Sequence, residues 1–314
     1  MKNTYLCVMN KKWLYPLILL LVVLIAGIVY IFVKQHPEQS SDTAHPTSQS
    51  SQFGRKWDSF TPATAPQLTV AVMPVMDCLP VAVAYFHNFF ERQGVRVNLL
   101  SLNAQMDCDT AFTGGSAQIA YSDRVRAERM KGRGVALDYL TTADGTWKLI
   151  ANKGARLTDI SQLGDKMVAM TRYSATDMLT TQMLQKAKTK NTVFRVQVND
   201  VHVRLKMILT GAMDAAWLPE PQATAAIARG HKVLPVQIDQ TESSPVFVYN
   251  PNNSGSTKHQ QYINAFVKAY DEAVDSINKY GINHYAEECR QLTKIEADIQ
   301  RKIPTYTFHH ARRP

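Results

Sequence analysis

Strand and helix signals alternate along residues 67–314 and predict an α/β protein built as two lobes. Two observations carry this. Short β-rich apolar runs are each followed by a turn and a helical pattern, the order of βα units with largely parallel sheets. The series then restarts near residue 156, bracketed by the first series and by a helical C-terminal part. A third observation concerns the front of the chain, where an uncharged apolar run predicts one transmembrane helix ahead of the folded part.

Residues 13–33 contain no charge. At 1.5 Å per residue they span about 31 Å, enough for a bilayer core. Lys2, Lys11 and Lys12 precede the run, which places residues 1–12 in the cytoplasm. The run is longer than the apolar part of a cleaved signal peptide and lacks a small-residue cleavage site, so it reads as a retained signal anchor. Cys7 lies before it, on the wrong side for lipid attachment. Residues 34–66 are rich in Ser, Thr, Gln and Pro and read as a flexible tether with a reach of roughly 30 Å.

In the folded part, Gln67–Met73 is a strand. Asp77-Cys78-Leu79-Pro80 opens a helix to Arg92, with Leu79, Val83, Phe86 and Phe90 on one face. Val95–Leu102 is a strand, a short helix follows from Asp107, and Ala117–Tyr121 is the next strand. Ser122 and Asp123 cap a basic helix through Arg124–Arg133. Strands at 136–142 and 147–152 complete the first series. In the second, Met167–Thr171 is a strand and Ser174-Ala-Thr-Asp177 is a capping box opening a helix to Ala187. Val193–Val198 is a strand, and Asn199 and Asp200 cap a helix that stops at Gly211. An apolar run then ends in Trp217-Leu-Pro-Glu220-Pro, a strand turning into an Ala-rich helix. Strands at 232–238 and 245–249, a long amphipathic helix at 256–280 and shorter helices at 285–292 and 295–303 finish the chain. The expected division is a first lobe of 67–155 and 244–314 and a second of 156–243.

The chain carries a net charge of +9 without long basic runs or a base-stacking array, so nucleic acid is not an expected partner. No nucleophile elbow, phosphate loop or paired-His zinc motif is present, so neither a catalytic set nor a cofactor or metal is expected. His309-His310 reads as part of an unstructured tail. Ligands of open α/β sheets bind outside the carboxyl ends of strands. The candidate contacts are therefore the openings that follow strands: Asp77 and Cys78, Asp107, Ser122 and Asp123, Arg172, Ser174 and Thr176, Asn199, and Trp217 with Glu220. The turn at 172–176, with a guanidinium, two hydroxyls and free helix amides, is an anion cradle. The many Asp residues at the other openings point instead to helix caps or to a cationic, amine-bearing ligand. For Trp217 the alternative is a buried core ring.

Three stretches resemble a known family: Gly211-x-Met213-Asp-Ala-Ala-x-Leu-Pro-Glu220-Pro-x-Ala-Thr-x-Ala up to Gly230, Ile160–Met170, and Gln118–Asp123. In order and spacing they are similar to substrate-binding proteins of nitrate/sulfonate/taurine and thiamine-precursor ABC importers. The resemblance implies a type 2 periplasmic binding protein fold, a small polar organic ligand between the lobes, and permease and ATPase partners. With the anchor, it implies a single-pass protein of the inner (plasma) membrane whose folded part faces the periplasm or outer surface. The anchor itself, Asp77-Cys78 and the repeated Met-Asp-Cys depart from the family pattern. Other readings are an enzyme on the same fold, like the menaquinone-precursor dehydratases and cyclases, or a tethered ligand sensor. Cys78 and Cys108 each follow Met-Asp at openings of neighbouring strands, so a disulfide between them is expected, with Cys289 left over. The alternatives are buried thiols, or thiols that face the cleft and meet a soft metal or the ligand.

Overall fold

The computed structural model describes residues 66–254 and 257–314. The expected cytoplasmic segment, membrane anchor and tether, up to residue 65, lie outside the described residues. Among these, no helix is long and apolar enough to cross a membrane.

Among the described residues, ten strands form two five-stranded sheets. The first holds β1 (Leu68–Val72), β2 (Val97–Ser101), β3 (Ile119–Asp123), β4 (Asp138–Thr142) and β10 (Pro245–Tyr249), in the order β2-β1-β3-β10-β4. The second holds β5 (Lys148–Ala151), β6 (Met167–Met170), β7 (Phe194–Gln197), β8 (Ala215–Leu218) and β9 (Lys232–Val233), in the order β7-β6-β8-β5-β9. Each sheet is a parallel trio extended by an antiparallel fourth strand, β10 in the first and β5 in the second. Each fourth strand arrives from the other lobe. The central strands β3 and β8 are buried along their whole length, as strands covered on both faces must be.

The strand at 147–152, expected in the first lobe, belongs to the second sheet. Leu149 pairs with Trp217 and Ile150 with Ala216, so the chain crosses at 143–147 rather than near 155. A short apolar run suits either sheet, and only its partner decides. The return crossing runs from Leu234 to Ser244, and the strand expected at 232–238 is only Lys232–Val233. Gln240 staples the two crossings together. Its Oε1 accepts from Trp147 N at 2.9 Å and its Nε2 donates to Trp147 O at 3.0 Å.

Helices cover both sheets. The expected helix at 77–92 is instead a 3-10 turn (Met76–Cys78), α1 (Leu79–Phe86) and α2 (Phe89–Arg92), interrupted where Asn88 takes φ 57°. The others follow in order: α3 (Gln105–Thr113), α4 (Arg124–Lys131), α5 (Ala175–Ala187), α6 (Val201–Thr210) and α7 (Gln222–Ala228). α8 (Thr257–Tyr280), α9 (Ala286–Thr293) and α10 (Ala297–Gln300) complete the set. On α8 the residues Ile263, Phe266, Ala269, Tyr270, Ala273, Val274 and Ile277 are all buried, an i, i+3, i+4, i+7 stripe against the first lobe. Its Phe266 stacks on Phe90 with centroids 4.9 Å apart.

The C-terminal part does not stay on the first lobe. Ile295 and Ile299 sit in an apolar cluster of the second, and Arg229 donates to Glu296 at 2.7 Å. The last residues are held as well. Thr142 N donates to Arg312 O at 2.7 Å, and Asp144, in the first crossing, receives His309 N at 2.9 Å and Arg312 Nη2 at 2.8 Å. The tail that reads as unstructured in sequence therefore lies along the β4 edge and grips the crossing.

Candidate functional site

The carboxyl ends of β1 and β3 face those of β6 and β8 across the join between the lobes. Several hydrogen bonds cross it. Met76 N donates to Glu220 O at 2.9 Å and Gln222 Nε2 to Pro74 O at 2.8 Å. Val201 N donates to Asn103 O at 3.1 Å, and Arg126 Nη1 to Arg172 O at 3.4 Å. The two lobes are thus closed on each other.

On the first lobe, Asp77 follows β1 in the 3-10 turn and is 3% exposed. Tyr121 donates its hydroxyl to Asp77 Oδ2 at 2.9 Å. The Gly145 amide of the crossing lies close by but leaves Oδ1 without a hydrogen-bond partner. Burial raises the Asp77 carboxyl to about 6, against the lowering pull of Tyr121 and Gly145. No Cβ fits at Gly145, because it would collide with this carboxylate. Asp123 ends β3 and caps α4 by accepting from Arg126 N at 2.9 Å through Oδ1. Its Oδ2 has no hydrogen-bond partner, although the Ala175 amide at the start of α5 lies near. Burial lifts Asp123 to about 6 as well. Ser122 does not cap. It donates to Asp109 Oδ1 at 3.1 Å, and Asp109 pairs with Arg126.

On the second lobe, Glu220 is 5% exposed and paired with Lys148 at 2.6 Å, and it accepts from Thr224 N at 3.0 Å. Gln222 is fully buried. Its amide nitrogen is committed to Pro74 O, and its Oε1 has no partner. The hydroxyls of Ser174 and Thr176 are used within their own turn. Ser174 Oγ bonds Thr171 O at 2.7 Å and accepts from Thr176 N at 3.1 Å, and Thr171 N donates to Thr176 Oγ1 at 2.9 Å. The expected anion cradle therefore has Asp123 beside its helix start. Tyr306 of the tail comes close to the same place, where burial and then the Asp77, Glu220 and Asp144 carboxylates raise its hydroxyl pKa.

Several expected contacts are placed elsewhere. Trp217 is 2% exposed in the core of the second lobe, where its Nε1 donates to Thr180 Oγ1 at 3.0 Å. A ring on a central strand points into a sheet face under α5, not out of the strand end. Cys78 and Cys108 form no disulfide. Together with Cys289 they are free buried thiols, and burial raises the pKa of each. Cys289 Sγ meets Met76 Sδ at 3.8 Å. Asp107 and Arg172 are exposed, and Asn199 is half-buried and accepts from Gln197 at 3.1 Å. Among the described residues no group of three His, Cys, Asp or Glu side chains is placed to hold a metal.

Sequence reasoning missed Tyr121, Lys148, Gln222 and Arg204. Arg204 had a legible signal, since it interrupts the apolar stripe Val201, Leu205, Ile208 of α6. It is 1% exposed and has no carboxylate partner. It donates to Val198 O at 3.0 and 2.6 Å, to Trp217 O at 2.8 Å and to Thr171 Oγ1 at 2.6 Å. One guanidinium thus joins the ends of β6, β7 and β8. Burial lowers it to about 10, so it stays charged at neutral pH.

Two lobes of equal sheet topology, joined by two crossings and lined at their strand ends with buried polar groups, define the class of two-lobed α/β binding folds. Residues 76–280 match the family described as NMT1/THI5 like, and the chain belongs to that family. No curated protein matches it in sequence. The alkanesulfonate-binding protein SsuA of Xanthomonas axonopodis pv. citri, solved bound to MOPS, has a similar structure with a TM-score of 0.65 at 12% identity, over 78% of this chain and 86% of that one. The periplasmic aliphatic sulphonate binding protein of Escherichia coli gives 0.61 at 15% identity, over 76% and 84%. The periplasmic nitrate-binding protein of Synechocystis gives 0.61 at 14% identity, over 75% and 69%. At these identities the likeness establishes the fold.

Proposed function

We propose that this chain is the substrate-binding component of an ABC importer and captures a small polar organic molecule between its lobes. The observation that carries this is the join itself. Polar side chains from both lobes are buried there, and Asp77, Asp123 and Gln222 each present an oxygen with no partner. Groups of that kind are costly to the protein alone and are satisfied by a bound solute. The sulfonate- and nitrate-binding proteins of similar structure support a solute-binding role. In this reading the protein binds and releases its solute unchanged, handing it to a permease driven by an ATPase. Residues 13–33 hold it in the inner (plasma) membrane, with the folded part outside the cytoplasm on the tether of residues 34–66.

A thermal-shift screen of small polar solutes tests the binding. A solute that binds only the folded state, at a hundredfold excess over its Kd, stabilises by about 2.7 kcal/mol. Stoichiometric binding without chemical change of the solute is expected. Turnover of a bound solute would favour an enzyme on this fold instead.

A further inference from the structure

We propose that residues 294–303 are a staple between the lobes: anchored at both ends in the first lobe and seated in the second, they hold the join closed and must leave their seat before it opens. The staple needs no solute to act, so it stands apart from the solute-binding role.

The path of the chain carries this. α9 belongs to the first lobe, where Cys289 and Leu292 are buried in its apolar cluster. Lys294 then takes φ 54° and turns the chain out of the helix. Directly after it, Ile295 and Ile299 are buried in the second lobe's cluster with Leu205, Ala223 and Ala226. Glu296, between them, accepts from Arg229 at 2.7 Å. Ile303 is already back in the first lobe's cluster, followed by Phe308. Ile299 and Ile303 are thus one helical turn apart in sequence and buried in different lobes. Lys302 N donates to Ile299 O at 2.8 Å and Ile303 N to Gln300 O at 3.1 Å, so the straddling turn is itself bonded.

The first-lobe anchors are deep. Asn278 pairs its side-chain amide with both backbone groups of Phe308, at 3.0 and 2.7 Å. Ala311 N donates to Asp271 at 2.7 Å and Arg312 N to Thr141 Oγ1 at 3.0 Å. The seat on the second lobe rests on two isoleucines and on an ion pair that is largely exposed and therefore weak. The seat gives way first, and releasing it returns the Ile295 and Ile299 side chains to water.

The elements that the staple ties are those that meet at the join. α7, which supplies Ala223 and Ala226 of the seat, begins at Gln222, whose Nε2 donates to Pro74 O. Just before α7, Glu220 O accepts from Met76 N. Met76 in turn touches α9, its Sδ lying 3.8 Å from Cys289 Sγ. Parting Met76 from Glu220 therefore draws α7 away from α9, and the staple joins the two.

Hydrogen exchange read by mass spectrometry on the full chain in detergent, with no solute added, tests this. The reporters are the amides of Met76 and Val201, which donate across the join to Glu220 O and Asn103 O. The references are Ala120 and Ala216 in the central strands β3 and β8. Ile295→Ala and Ile299→Ala should each speed exchange at both reporters by about tenfold or more and leave the references close to wild type. Ile299→Val should fall between. Ile277→Ala, a matched deletion in the first lobe's core on α8, should not favour the reporters over the references. Unchanged exchange at the reporters would overturn the proposal. So would a rise shared equally by the references, which marks global destabilisation, or a rise at Met76 without Val201, which marks local loosening. If Ile299→Ala does not fold, Ile299→Val and Ile295→Ala carry the same comparison.

Discussion

Asp77 and Asp123 each hold a buried carboxylate whose pKa is raised from 3.8 to about 6. In the unfolded chain such a group ionises near its ordinary value. Between the two values the folded state binds more protons, so stability falls as pH rises through this window. The cost is absent below about 3.8, complete above about 6, and amounts to roughly 3 kcal/mol for each group at 1.36 kcal/mol per pH unit. Asp77→Asn should therefore raise the stability of the unliganded protein at pH 7 and change little at pH 4. The histidines His202 and His231, whose pKa values burial lowers, oppose the trend in acid. Subtracting variant from wild-type denaturation midpoints across pH isolates the carboxylate, and a flat difference would contradict its burial as a charge. Trp217 belongs to a different account. Trp217→Ala removes a core ring and strands the Thr180 hydroxyl, so a loss of about 3–5 kcal/mol is expected in chemical denaturation. Loss of solute affinity with unchanged stability would return Trp217 to the cleft.

Among the elements, α6 and the first crossing matter most for the site. α6 reaches through Arg204 to the ends of three strands, fixing the second lobe's floor with one side chain. Arg204→Ala leaves buried carbonyls of Val198 and Trp217 unpaired and should cost roughly 3–5 kcal/mol. Arg204→Lys keeps the charge but loses the fork and should recover only part of it. The crossing at 143–147 passes directly over Asp77. A methyl at Gly145 has no space beside that carboxylate, so Gly145→Ala should destabilise by about 1–3 kcal/mol and weaken solute binding together. Wild-type melting and binding in this variant would show that the crossing is free to move away from Asp77.

For the whole molecule, described residues after 67 form the apolar clusters of both lobes. A fragment of residues 66–314 should therefore be soluble and monodisperse and unfold cooperatively. Its three thiols should react with a thiol reagent only after denaturation. Aggregation of the fragment, or a bridge between Cys78 and Cys108 in non-reducing peptide mapping, would contradict this. Both cysteines fall in the packed core of the first lobe with Met76, whereas Met106 of the second Met-Asp-Cys is exposed.

Local chemistry was enough to read much of this molecule from its residues alone. Alternating apolar runs and helix openings define two βα series, because side-chain periodicity and caps act over a few residues. Asp123 and Asp200 as caps, the stripe on α8 and the strand ending at Leu218 are all of this kind. The candidate Asp77, Ser122, Asp123 and Glu220 follow from the rule that ligands gather at strand ends. Tertiary structure decided what depends on partners far along the chain. It assigned β5 to the second sheet, turned Trp217 inward, and paired Lys148 with Glu220 across 72 residues of sequence. It also brought the tail back over the first crossing and left Gln222 with one free oxygen against the other lobe. A run such as Leu149-Ile-Ala has equal affinity for either sheet, and a carboxylate at a strand end is a cap, an ion pair or a ligand contact according to what packs opposite. Those choices are made by long-range packing and desolvation, which no local pattern encodes.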